Sequence, residues 1–356
     1  MMLCYSCMKP IESGTVCQHC GFRNDSKNPL GTLPMGTVLQ EKYLVGRVTD
    51  SGYGFEEYAG FDFLKQEPVT IREYFGNGDP KFDFPGYRDW IFQRVQHLNQ
   101  LQPLPSIIMP DDWLEDNNKV YLIEQHPEGE NLRDLMRKRG GKLNAPQLLS
   151  CLRPVMENLE RIHRENLFHM NINPGKIVID AQGNAVLTGF AWIFRNPYRV
   201  GTVCGDIPVM KTEFCPLEFL TSKGKVGPWS DVYSLCCTIY FCLSGHRPVD
   251  STERLFEGWE PDWHSVPGLH PQQRRVLQQG MAVRSENRIQ TMQQLMDDLF
   301  GDSFVNVDPF KGDVPDVPAG VPARPLMGAM VFDPDKGSGH TQEEPTRNWW
   351  KKLFHK

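Results

Sequence analysis

The chain of 356 residues carries a formal net charge of −6 with a sequence pI near 6.0, so it lacks the basic excess of a general nucleic-acid binder. Hydrophobic residues make up 40% and charged residues 23%, the balance of a soluble globular chain long enough for about two domains. No apolar run approaches the roughly 18–20 residues that cross a bilayer, and the segment from Met1 to Cys7 has neither the basic nor the apolar region of a signal peptide.

In chain order, the first feature is a pair of cysteine knuckles. Cys4-x-x-Cys7 and Cys17-x-x-Cys20 supply four soft ligands in two close pairs, with Gly21 placed for the tight turn that follows. Zinc takes four thiolates at tetrahedral corners, and a segment this short cannot bury a core, so the metal must supply its folding energy. A redox C-x-x-C expects a βαβ context and one pair, which does not match. The remaining cysteines stand singly or in apolar runs such as Leu235 to Cys242, where they behave as small hydrophobes and argue for a reducing, cytoplasmic compartment.

Residues 23–35 read as a polar linker punctuated by Pro and Gly. Strand signals follow at Tyr43 to Val48 and Val69 to Phe75, then a helix at Trp90 to Leu101 with apolar residues three and four apart. Ile107 to Met109 and Val120 to Ile123 flank the turn-rich Asp116 to Lys119 as a hairpin would. Beyond Asn131 helices dominate. Gln147 to Glu165 carries one apolar face, and Asp231 to Leu243 is apolar nearly all round, as a buried helix is. Residues 302–356 are rich in Pro, Gly and Asp and end in Trp349-Trp350-Lys351-Lys352-Leu353-Phe354. That ending suits a groove on an acidic protein or, weakly, a membrane surface.

Several stretches in the body match one signature set. Gly36-Thr37-Val38-Leu39-Gln40-Glu41-Lys42-Tyr43, Pro216-Leu217-Glu218, Gly227-Pro228-Trp229-Ser230-Asp231 and Glu286-Asn287-Arg288 stand in order and at suitable spacing. With them, residues 36–300 resemble the bacterial Ser/Thr protein kinases that carry an N-terminal zinc ribbon. The resemblance implies an α+β, two-lobed protein-kinase-like fold preceded by a small zinc ribbon. It places the ribbon at 1–22 and the body at 36–301, with the lobes meeting near 127–128. It also implies that Asp231 pins the catalytic-loop backbone and that Arg288 pairs with Glu218, a structural pair that is costly to break.

The positions that carry chemistry in that family differ here. Phosphoryl transfer needs positioned phosphates, magnesium and an oriented hydroxyl. Asp50-Ser51-Gly52-Tyr53-Gly54-Phe55 keeps only Gly52 of the three loop glycines and puts an acid where phosphates would lie. Arg72 replaces the strand lysine, and Gln93 stands near the place of its helical glutamate. His169-Met170-Asn171 has Asn171 for the base, Lys176 replaces one magnesium ligand, and Gly189-Phe190-Ala191 replaces the other with Gly189. If Glu128-Gly129-Glu130-Asn131-Leu132 matches the hinge end, Glu124 is the gatekeeper and Pro127 lacks the N–H that would meet adenine.

The expectation is therefore a pseudokinase, a regulatory or scaffolding protein of bacterial signalling that performs no phosphoryl transfer. Its partner is expected to be a protein and not nucleic acid. Zinc is structural, and the substitutions weigh against binding of ATP and magnesium. Gly52, Arg72 and Gln125 are the residues left to line a vestigial nucleotide site. Two other readings are a non-catalytic nucleotide-binding switch and a kinase-like enzyme of altered chemistry with residual Ser/Thr kinase activity.

Overall fold

The computed structural model describes residues 2–52, 55–75, 83–190, 212–220, 224–266 and 268–301. The tail at 302–356, with its Trp- and Lys-rich end, lies outside the described residues, as does Cys204.

Two short strands, β1 (Met2–Leu3) and β2 (Pro10–Ile11), pair antiparallel around the first cysteine knuckle, and a bridge between Val16 and Arg23 closes the second. The knuckles repeat one backbone pattern. The Met8 N–H donates to the Cys4 carbonyl as the Gly21 N–H donates to that of Cys17, and both residues have positive φ. Gly21 adopts that conformation freely, whereas Met8 adopts it while burying its side chain against Leu44 and Phe61 of the next sheet.

That sheet has six antiparallel strands in the order β3-β4-β5-β6-β8-β7, comprising β3 (Val38–Leu39), β4 (Tyr43–Gly52), β5 (Phe55–Asp62), β6 (Glu67–Phe75), β7 (Pro110–Asp116) and β8 (Lys119–Gln125). Successive side chains face opposite ways. One face buries Tyr43, Val45, Tyr58, Val69, Ile71, Tyr121 and Ile123 as a cluster of its own. The other presents Phe55, Tyr74, Val120 and Leu122 to the main core. Helix α1 (Phe84–Asn99) is capped by the Asp83 carboxylate, which accepts from the Gly86 N–H, and so begins ahead of the expected Trp90. The β7–β8 hairpin turns on Asn117-Asn118, both at positive φ, the pairing a two-residue turn favours. The expected strand at Ile107 to Met109 instead runs beside Leu187, with the Ile108 N–H donating to the Leu187 carbonyl at 2.8 Å. It therefore ties the first lobe to the second.

The second lobe starts with a three-stranded sheet ordered β11-β10-β9, from β9 (Glu130–Asn131), β10 (Ile177–Ile179) and β11 (Ala185–Leu187). The rest of this lobe is helical, with α2 (Leu132–Lys138) and α3 (Ala145–Arg164) against the sheet and α4 (Pro228–Ser244), α5 (Ser251–Glu257), α6 (Pro271–Gly280) and α7 (Met292–Phe300) following in the chain. Helix α4 is buried along nearly its whole length, as its apolar circumference requires. The main core runs without interruption from Phe84, Ile91 and Leu98 of α1 to Leu159 of α3 and Leu235 of α4. Among the described residues no helix is long and apolar enough to cross a membrane.

Candidate functional site

The cleft face of the first lobe is built by register. Asp50 pairs with Glu57, and Glu57 pairs with Arg72, so three ionisable residues form a row across β4, β5 and β6. Arg72 donates through Nη2 to Glu57 Oε2 at 2.6 Å, through Nη1 to Glu124 Oε1 at 3.0 Å, and to the Phe190 carbonyl at 3.2 Å. Glu124 lies on β8, one diagonal step along the same face. All three charged side chains are buried.

Lys176 enters this row from the second lobe. Its Nζ lies 3.0 Å from Asp50 Oδ2 and 3.1 Å from Glu57 Oε2. Two carboxylates directly opposite each other on neighbouring strands repel. The ammonium between Asp50 and Glu57 converts that repulsion into a bridge between the lobes. The charges follow this geometry. Burial alone would raise the Glu57 carboxyl, but Lys176 and Arg72 hold it far below the carboxylate range. Burial would lower Lys176, yet Glu57 and Asp50 raise it. For Glu124 burial wins over the pull of Arg72, and its carboxyl is raised. Arg72 stays charged, because Glu124 and Glu57 more than offset its burial.

Gly189 sits beside these two cations. Its φ is +78°, and a Cβ there would lie 3.0 Å from Lys176 Cδ and 3.2 Å from Arg72 Nη2. Both the backbone and the neighbours therefore favour glycine at this position. Its carbonyl accepts from Asn171 Nδ2 at 3.1 Å, and Asn173 Nδ2 in turn donates to the Asn171 carbonyl at 3.0 Å. Asn171 thus bonds to neighbouring backbone as a donor, a role that a carboxylate could not fill.

Beneath the cleft, Asp231 Oδ2 accepts from the His169 N–H at 2.7 Å and Oδ1 from the Met170 N–H at 2.8 Å, while His163 Nε2 lies 2.9 Å from Oδ2. Burial would raise this carboxyl, but the His163 contact and the backbone donors hold it low. His169 is pushed down to about 4 by burial, so its neutral ring hydrogen-bonds the Thr188 carbonyl and lies tilted by 50° against Phe190, 4.4 Å between centroids. Arg288 pairs with Glu218 at 2.8 and 3.3 Å, and Ser230 Oγ donates to Glu218 Oε1 at 2.7 Å.

Two sequence-based expectations need correction. Gln93 is exposed on α1, whose buried face is Phe84, Tyr87, Ile91, Val95 and Leu98, so no acid or amide from this helix meets Arg72. Its carboxylate partners come from the strands, as Glu57 and Glu124. Asp50, read as a repulsive intruder, is a counter-ion of Lys176. Of the residues expected to line a vestigial nucleotide site, Arg72 faces the charged row. Gly52 closes β4 opposite Phe55, and Gln125 is exposed at the end of β8, its backbone paired with Val69. Glu57 was missed. The signal was present in Phe55-Glu56-Glu57-Tyr58, since two adjacent glutamates in a strand must face opposite sides of the sheet.

The second site is the cysteine module. The Sγ atoms of Cys4, Cys7, Cys17 and Cys20 all lie within 4.8 Å of one another, with Cys4–Cys20 at 3.6 Å and Cys7–Cys17 at 3.7 Å. Tetrahedral zinc with bonds of about 2.3 Å sets its sulfurs about 3.8 Å apart, so the four thiols fit a structural zinc ion. The Ser6 and His19 N–H groups point at the Cys4 and Cys17 sulfurs, each at 3.4 Å, as donors to thiolates do. The module is seated on the sheet. A bulge in β4 frees the Arg47 N–H for the Tyr5 carbonyl at 2.7 Å, and Asn28 bonds the Gly46 carbonyl at 2.9 Å and the Val48 N–H at 3.0 Å. A Cβ on Gly46 would meet the Tyr5 carbonyl and Met8 Cε, both at 2.3 Å, so only glycine permits this approach.

A strand-rich lobe and a helical lobe joined at a cleft, with Asp231 under the cleft loop, define a two-lobed protein-kinase-like body carrying a four-cysteine module. The chain belongs to the protein kinase domain family, whose sequence model matches residues 85–300. Among curated relatives it is 28% identical over 220 residues to the serine/threonine-protein kinase PknL of Mycobacterium tuberculosis, covering 61% of this chain and 53% of that one. It is 22% identical over 222 residues to the serine/threonine-protein kinase PrkC of Bacillus subtilis, covering 61% and 32%. The chain thus spans about half or less of the length of these relatives. The solved structure titled "PpkA-294 apo form" superposes with a TM-score of 0.57 at 21% identity, covering 75% of this chain and 99% of that one, a likeness of fold.

Proposed function

We propose that this chain is a pseudokinase, a regulatory or scaffolding partner of other proteins in bacterial signalling that transfers no phosphoryl group. One observation carries the reading. The carboxylates of Glu57 and Asp50 occupy the cations of the cleft, while positions 176 and 189 offer an ammonium and no side chain where the family holds magnesium. A general base typically contributes 10²–10⁴-fold and a metal several kcal/mol of charge stabilisation, and here Asn171, Lys176 and Gly189 supply neither. The intact Asp231 and Glu218–Arg288 contacts support a retained shape serving as a binding surface.

The test is a labelled-phosphate transfer assay from ATP with magnesium or manganese, to the chain itself and to general protein substrates, run beside a melting titration. No transfer, and no magnesium-dependent rise in melting temperature, is expected. Transfer that disappears in Asn171→Ala would refute the proposal.

A further inference from the structure

The two knuckles of the cysteine module meet different surroundings. From Glu12 to Gly21 every residue except Cys17 is exposed, Cys20 included. The first knuckle instead carries contacts with the sheet. Its Tyr5 carbonyl accepts from the Arg47 N–H at 2.7 Å, Ser6 Oγ accepts from Arg47 Nε at 2.8 Å, and Met8 is buried against Leu44 and Phe61. The sulfurs pair across this division. Cys20 lies 3.6 Å from the wholly buried Cys4, and the half-buried Cys7 lies 3.7 Å from the buried Cys17. Each pair therefore joins a reachable sulfur to a shielded one. A bound zinc ion holds all four as thiolates, the form that oxidants attack.

We propose that the module is an oxidation site for hydrogen peroxide, and that its oxidation detaches the first knuckle from β4. The Cys20 thiolate attacks the O–O bond, becoming a sulfenic acid and releasing hydroxide. The Cys4 thiolate then attacks the sulfenic sulfur, forming the Cys4–Cys20 disulfide and expelling a second hydroxide. Two electrons pass from the two sulfurs to the peroxide, and both hydroxides take protons from solvent. A disulfide draws its sulfurs to about 2.0 Å and leaves neither as a thiolate, so zinc keeps only Cys7 and Cys17 and dissociates. A second peroxide joins Cys7 to Cys17 by the same two steps.

The coupling to β4 runs through Met8. Its φ of 55° is a left-handed conformation that a residue with a side chain holds only under constraint. The knuckle supplies that constraint, since the Met8 N–H donates to the Cys4 carbonyl at 2.9 Å. Once Cys4 is drawn to Cys20 and the metal no longer fixes the turn, Met8 relaxes, and Leu44 and Phe61 lose their cover. A second anchor survives, because Asn28, outside both knuckles, keeps its bonds to the Gly46 carbonyl and the Val48 N–H. Oxidation thus loosens the module without freeing it. None of this depends on the cleft, so any result on phosphoryl transfer leaves it standing.

The experiment treats the zinc-loaded full chain with hydrogen peroxide in steps that start below one equivalent. Zinc is captured by a chelating dye, disulfides are mapped by mass spectrometry of unreduced peptides, and amide hydrogen exchange is followed along β4. Release of one zinc ion per chain is expected, with Cys4–Cys20 the first linkage and the buried Cys215, Cys236, Cys237 and Cys242 still reduced at that point. Exchange at the Arg47 amide, whose acceptor is the Tyr5 carbonyl, should quicken by about tenfold or more as zinc leaves. Dithiothreitol with added zinc should restore the slow rate. Met8→Ala keeps all four ligands, so it should still bind and release one zinc ion. Its peptides over Leu44 and Phe61 should exchange fast before any oxidant and change little with peroxide.

Zinc retained at peroxide doses that oxidise the buried cysteines overturns the proposal. So does a first linkage within one knuckle, Cys4–Cys7 or Cys17–Cys20, or zinc release that leaves β4 exchange in the wild type unchanged. A folded Met8→Ala chain whose β4 still responds as the wild type does refutes the coupling, and the wild-type readouts decide should that variant fail to fold. Protein purified without zinc fails the metal assignment before any oxidant is added, so the two failures are distinguishable.

Discussion

The cleft acid Glu57 and its neighbour Glu56 show how one residue of strand register separates two electrostatic fates. Glu57 faces two cations and is held ionised. Glu56 faces the other side, opposite Glu73 in register, and its Oε2 is buried with no hydrogen-bond partner among the described residues. Burial first, then Glu73 and Asp50, push its carboxyl from 4.5 up to about 7. A carboxyl raised in the folded state contributes stability that is fully present below its unfolded value and is lost as pH rises through the folded one. Glu56 therefore stabilises at pH 4 to 5 and costs stability by pH 8. Glu56→Gln should melt higher than wild type at pH 8 and show little or no such advantage at pH 5. Equal differences at the two pH values would show that Glu56 does not titrate in this window.

At the scale of elements, the cysteine module and the β4 bulge act as one unit. Residues 2–11 can bury only Cys4, Met8 and Ile11 of their own, too little apolar surface to fold unaided. Metal binding would supply the missing free energy, and the Tyr5 and Met8 contacts pass it on to β4. Cys17→Ser is expected to lower the zinc content from one ion per chain to near zero and to lower the melting temperature by several degrees. Elemental analysis and a thermal melt check it, and metal-free wild-type protein would dismiss the zinc assignment. The β4 strand that receives the module also carries Asp50, so the module is seated on the strand that supplies a counter-ion of Lys176.

For the molecule as a whole, the two lobes are joined by pieces of different character. The apolar core crosses from α1 to α3 and α4, the backbone at Ile108 and Leu187 stitches loop to strand, and Lys176 spans the cleft by charge. The second lobe keeps its own keystone at Glu218 and Arg288, where the guanidinium also donates to the Trp229, Ala282 and Val283 carbonyls. Removing one partner of a buried pair leaves the other uncompensated, a loss of about 3–5 kcal/mol against a total of about 5–15. Arg288→Ala should therefore unfold at markedly lower urea, with the cleft row itself untouched. A midpoint unchanged from wild type would show that the pair adds nothing.

Much of this was legible in the residues. The four thiols declare their chemistry through a spacing of three and the absence of any other core, the lobes through a change from period two to period 3.6, and the departure from the family's signature through the residue types at 176 and 189. The gaps came from contacts distant in sequence. Glu57 and Lys176 stand 119 positions apart, and Arg72 and Glu124 52, so no local pattern says that they meet. A strand pattern states which way a side chain points and leaves open what awaits it there. Sequence alone thus determined which residue types stand at 72, 171, 176 and 189, because each is a residue identity. Only the tertiary structure decided which partners these side chains meet, because a buried charge finds its partner when the sheet register and the closing of two lobes set the distances.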